Sequence, residues 1–94
     1  MNKYEMMAIY QIDMGEEKAK ALSKTIQELI ISLGGSVVEV DFWGKRRFAY
    51  EINHKGEGFY DVIQFELEAK HNSKLKSKLN LTDGLVRYLI TAKS

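Results

Sequence analysis

Between Ser36 and Leu67 the chain reads SVVEVDFWGKRRFAYEIN (36–53), HKGEG (54–58) and FYDVIQFEL (59–67). Two runs rich in β-branched and aromatic residues, joined by a polar stretch with glycines to make the reversal, predict a long β-hairpin. In the second arm Ile63, Phe65 and Leu67 share one face while Val62, Gln64 and Glu66 share the other, so one side is apolar and the other mixed. Gly44 interrupts the first arm. A glycine inside a strand pattern predicts a bulge or bend that re-aims the side chains after it.

Upstream of the hairpin, Met6, Ala8 and Tyr10 alternate with Glu5, Met7, Ile9 and Gln11 from Lys3 onward, which reads as a strand with a mostly apolar second face. Asp13 and Gly15 punctuate the chain, and Glu16 and Glu17 place negative charge where a helix N-terminus favours it. A helix is expected from about residue 15. Ala19, Leu22, Ile26, Leu29, Ile30 and Leu33 recur at spacings of three and four as its buried stripe. Gly34 and Gly35 end it.

Downstream, Leu75 and Leu79 lie four apart among Lys74, Lys76 and Lys78, predicting a short amphipathic helix over 70–81 with a basic outer side. After the turn signal Thr82-Asp83-Gly84, the run LVRYLIT (85–91) alternates as a last strand. The order is βαββαβ. Right-handed crossovers put both helices on one face of a four-stranded antiparallel sheet, the α+β ferredoxin-like arrangement, and leave the other face open. Met7, Ile9, Arg87 and Leu89 are expected to gather on that open face, an apolar surface with one cation and a candidate docking site.

With 94 residues and 45% hydrophobic content, residues 1–94 are expected to form one domain. There is no cysteine, which removes disulfides, thiolate metal sites and cysteine nucleophiles. The start MNKYEMMAIY has no signal-peptide pattern, and no apolar run approaches the roughly 20 residues that cross a bilayer. A cytoplasmic protein without membrane partners is the expectation. The net charge of +1 conceals an asymmetry. Residues 1–44 carry four Lys against seven acids, and residues 69–94 carry six basic groups against Asp83 alone. Any nucleic-acid contact must therefore rest on locally placed Lys and Arg.

No catalytic or cofactor motif stands out. His54 and His71 have no ligand-spaced mates and read as ordinary surface residues. The glycines fit turns, not a phosphate loop or dinucleotide fingerprint. Glu16 with Glu17, and Glu66 with Glu68, are the nearest carboxylate pairs, and neither pattern sets up opposed acid and base environments. An acylphosphatase-like enzyme of the same topology would need an arginine between the first strand and helix; Ile12-Asp13-Met14-Gly15 is acidic instead. The expectation is no enzyme, no metal, no cofactor and no small-molecule substrate.

The informative cluster is WGKRRFAYEIN (43–53). On a strand, Lys45 and Arg47 share one side and Arg46 the other. As a bland edge strand the cations would block sheet-to-sheet association. As a functional surface they would clamp phosphates, with Tyr50 or Trp43 for stacking or hydrogen bonding.

Gly44, Arg46, Arg47, Ala49, Tyr50, Ile52 and Asn53 resemble the signature of the bacterial small-subunit ribosomal protein six family. Tyr4-Glu5, Gly34-Gly35, Gly58 and Leu85-Val86-Arg87-Tyr88 extend the resemblance over essentially the whole chain. Phe48 departs from the family's usual Leu and Glu51 from its common Pro. The resemblance implies a structural protein of the small subunit, which binds the central domain of small-subunit ribosomal RNA together with ribosomal protein eighteen as heterodimer partner. Carried over by position, Arg46, Arg47, Tyr50 and Arg87 are the expected RNA or partner contacts, with Lys3, Lys45 and Lys93 as further phosphate contacts. The implied location is the ribosome, cytoplasmic or organellar.

Two rival readings differ in testable ways. An RNA-recognition-motif-like single-strand binder is suggested by KGEGFYDV (55–62), but Glu57 and Val62 stand where that motif needs aromatics. A homodimeric regulatory ferredoxin-like domain would cover the open face with a second copy.

Overall fold

The computed structural model describes residues 1–52 and 55–93, with side chains for 1–46 and 57–93. Strands β1 (Asn2–Gln11), β2 (Ser36–Ile52), β3 (Lys55–Leu67) and β4 (Leu85–Lys93) form one antiparallel sheet in the order β2-β3-β1-β4. Helix α1 (Gly15–Ser32) connects β1 to β2, and α2 (Asn72–Asn80) connects β3 to β4. This is the expected ferredoxin-like α+β arrangement.

Both helices cover the same side. Ala19, Ile26 and Ile30 of α1 and Leu75 and Leu79 of α2 join Tyr4, Met6, Ala8 and Tyr10 of β1 and Phe59, Ile63, Phe65 and Leu67 of β3 in one buried cluster. Alternation along two central strands supplies the sheet side, and three-and-four spacing supplies the helix side. Leu22, Leu29 and Leu33 pack on its margin. At the end of α1 the Gly34 and Gly35 N–H groups donate to the carbonyls of Ile31 and Ile30, at 2.9 and 3.0 Å. With Gly34 at φ +88°, this is a Schellman closure that satisfies the last carbonyls.

The structure differs from the sequence reading at three joints. The second helical segment opens with a 3-10 turn at Ala69–His71, and only Asn72–Asn80 is α-helical. A helix with only Leu75 and Leu79 buried has little packing to hold longer ends. A further 3-10 turn, Ile12–Met14, precedes α1. In the hairpin, β3 begins at Lys55, so Gly56, Glu57 and Gly58 lie in the strand instead of in the reversal. Gly58 pairs with Gln11 on one side and Arg46 on the other, and that two-sided ladder outweighs glycine's poor strand propensity. Asn53 and His54, between the strands, lie outside the described residues.

Gly44 is a bulge, as expected. The β2–β3 register shifts between Phe42, opposite Asp61, and Gly44, opposite Tyr60, so Trp43 is the extra residue. Gly44 sits at φ +82°, where an L side chain costs about 1–2 kcal/mol. A Cβ there would meet nothing within 4 Å, so the cost is backbone strain alone. Gly44→Ala should lower stability by about that amount, read as a shift in urea midpoint with unchanged slope; an unchanged midpoint would remove the strain argument.

Candidate interaction surface

The face away from the helices is built row by row from the register. In one row Arg87 of β4 lies opposite Ile9 of β1, Ile9 opposite Tyr60 of β3, and Tyr60 opposite Gly44 of β2. The bulge adds Trp43 to this row. Its ring lies parallel to Tyr60 at 6.3 Å with an interplanar angle of 2°, and its Nε1–H donates to Asp41 Oδ2 at 2.9 Å. In the next row Leu89, Met7, Val62 and Asp41 follow one another. Leu89 is 64% exposed while Val62 is 8%, so the apolar strip is buried towards β3 and open towards β4. The expected grouping of Met7, Ile9, Arg87 and Leu89 is present, around a shallow depression.

At the far end of the same face Lys3 pairs with Lys93 across β1 and β4. The Lys93 ammonium also lies 3.6 Å from the Glu5 carboxylate. The opposite end carries the hairpin cations. Lys45 lies opposite Phe59, with its Nζ 3.4 Å from Glu57 Oε2; at this exposure the pair contributes little. Arg46 lies opposite Gly58 on the open side and donates from Nη1 to the Lys45 carbonyl at 3.1 Å. Because Trp43 and Gly44 together oppose one residue, the bulge reverses the alternation of everything beyond it and aims Arg46 to the open side.

Lys3 and Lys93 therefore form one pair, separated from Lys45 and Arg46 by the length of β1, about 25 Å. Arg87 shares the hairpin half of the face. Arg47 and Tyr50 lie on β2, but their side chains are outside the described residues, as is His54. His71 is half-buried in its 3-10 turn. The sequence reading missed Tyr60 and the two exposed acids Glu39 and Asp41 on β2. Only the register shows that Tyr60 faces Trp43 and that the acids occupy the edge opposite β4.

The rival single-strand platform is absent where its motif would require it. Phe59 is 6% exposed and packs under α1 against Phe42 at 6.3 Å, while Glu57 is ion-paired. Among the described residues no group of three or more His, Cys, Asp or Glu could hold a metal, and no helix is long and apolar enough to cross a membrane.

Fold and surface define a small ferredoxin-like α+β protein whose distinguishing features are an open apolar sheet face and a long, cation-bearing hairpin. Residues 3–92 match the family model described as Ribosomal protein S6. Small ribosomal subunit protein bS6 of Symbiobacterium thermophilum is 49% identical over 90 residues, covering 96% of this chain and 95% of that protein. Its counterpart in Thermoanaerobacter pseudethanolicus is 41% identical over the same length and coverage. The crystal structure of 30S ribosomal protein S6 from Thermotoga maritima superposes with a TM-score of 0.91 at 28% identity, over 98% of this chain and 87% of that one. The chain belongs to the ribosomal protein S6 family, whose members are structural proteins of the small ribosomal subunit and not enzymes.

Proposed function

We propose that the chain is a structural constituent of the small ribosomal subunit that binds the central domain of its RNA together with ribosomal protein eighteen. Beyond family membership, the observation that carries this reading is the row Arg87–Ile9–Tyr60–Trp43, with Arg46 at its hairpin end. Apolar side chains there give a partner surface to bury, and the exposed guanidinium groups of Arg46 and Arg87 are able to make bidentate phosphate or carboxylate contacts. Arg46, Arg47, Tyr50 and Arg87 are the proposed principal contacts, with Lys3, Lys45 and Lys93 adding phosphate contacts.

The near-neutral net charge supports a cooperative mode, in which a basic partner supplies much of the phosphate neutralisation. Filter binding to a central-domain transcript should give weak retention of the chain alone and strong retention with ribosomal protein eighteen. Equal affinity under both conditions would sink the cooperative reading. Co-sedimentation with small subunits through a moderate-salt gradient is expected; a homodimer that stays at the top of the gradient would overturn the assignment.

A further inference from the structure

We infer that the flank formed by α2 and the edge strand β4 is a second RNA contact, one that binds the phosphate backbone of a helical stem without reading bases. The inference rests on the ribosomal reading and concerns a surface outside the residues assigned above, apart from Arg87.

Lys70, in the 3-10 turn, and Lys74, Lys76 and Lys78, on α2, are all exposed. No carboxylate lies between Ala69 and Asn80. None of these four ammonium groups forms an ion pair with a described residue, whereas Lys20, Lys45 and Lys93 do. Lys78 in the last turn complements the helix dipole, which accounts for one of the four. Leu75 and Leu79 are buried, so the lysines stand on an anchored element. Lys74 and Lys78 are offset by about 6 Å along the helix axis, which presents point charges in succession along one direction.

Between α2 and β4 runs a groove of about 350 Å³ that includes Asn80, Arg87 and Tyr88. The Tyr88 hydroxyl donates to Asn80 Oδ1 at 2.7 Å, so the oxygen of that amide is engaged and its NH₂ is left to donate. The groove therefore offers that amide as a donor to an anionic oxygen, beside the exposed lysines of α2. The carboxylates of Glu39 and Asp41 are on β2, the opposite edge of the sheet. Glu68 and Asp83, at the two ends of the segment, are outnumbered by its four lysines, so the α2–β4 flank draws a polyanion. Lysines without an aromatic platform suit backbone phosphates rather than splayed bases.

The test compares the wild-type chain, the triple variant Lys74→Gln, Lys76→Gln, Lys78→Gln, and a control with Lys18→Gln and Lys24→Gln on α1. Each is titrated with a central-domain transcript, with and without ribosomal protein eighteen, over a range of salt. The triple variant should bind at least tenfold more weakly at about 0.1 M salt, with a salt slope shallower by about two to three. The control should match wild type. Lys74→Glu alone should weaken binding further per site than Lys74→Gln, and circular dichroism should show all variants folded. Wild-type binding with equal slopes for triple variant and control overturns the flank and leaves the ribosomal reading intact. No wild-type binding under either condition overturns both.

Discussion

Replacing Phe65 by Ala should lower stability by about 3–5 kcal/mol, the range for truncating a buried aromatic. Phe65 lies on central strand β3, opposite Tyr4 of β1 and Val37 of β2. It is 1% exposed, and its ring stacks on that of Tyr4 at 5.5 Å. Both neighbours are fixed by ladder hydrogen bonds, so the sheet cannot collapse into the space left behind. A domain of this size holds about 5–15 kcal/mol in total, so the melting temperature should fall by roughly 12 °C or more. Urea unfolding measures the loss directly; a change under about 1 kcal/mol would show that the layer repacks. Because Phe65 faces the helices, RNA binding of the folded fraction at low temperature should be unchanged.

Phe65 was readable in advance because its phase is shared with Ile63 and Leu67. The same holds for Ala19, Ile26 and Ile30 of α1, which are buried as their spacing predicts, while Leu22 and Leu29 are only partly buried and the buried Ser23 was not part of the predicted stripe. Gly44 was legible for a different reason, since few roles other than a bulge suit a glycine in such a strand. The glycines of HKGEG misled, because turn chemistry and strand pairing compete for the same residues. Pairing with both Gln11 and Arg46 decides it for Gly58, and those partners are remote in sequence.

The surface was legible in composition more than in geometry. Family resemblance singled out the hairpin cations, but strand phase beyond the bulge determines which of them reaches the open face. Lys45 and Arg46 end on opposite sides for that reason. The Trp43–Tyr60 stack joins residues of two strands, and no local pattern announces it. The basic side of α2 was plain in the sequence, yet its position beside β4 and away from Glu39 and Asp41 follows only from strand order.

Removing both hydroxyls that face Asp61, by Tyr10→Phe with Ser23→Ala, should cost about 3–5 kcal/mol, the scale for leaving a buried charged group without its partners. Asp61 is fully buried on β3, opposite Ala8 of β1 and Phe42 of β2. Its Oδ2 accepts from the Tyr10 hydroxyl at 2.7 Å and from Ser23 Oγ on α1. Its Oδ1 has no hydrogen-bond partner among the described residues, so those two donors carry the whole burden of compensation. Burial first, and then the hydrogen bond to Asp61, push the Tyr10 phenol far above its ordinary pKa, which keeps it a donor at any working pH. Each single variant should cost about 1–2 kcal/mol, and a double-mutant cycle should show the second loss exceeding the first, because only then is the carboxyl bare. Adding Asp61→Leu to the double variant should recover most of the stability, since removing every member of a buried polar set is far less costly than removing its donors alone. If the triple variant stays as unstable as the double, the cost lies in lost packing between α1 and the sheet, and the network does not hold the helix in register.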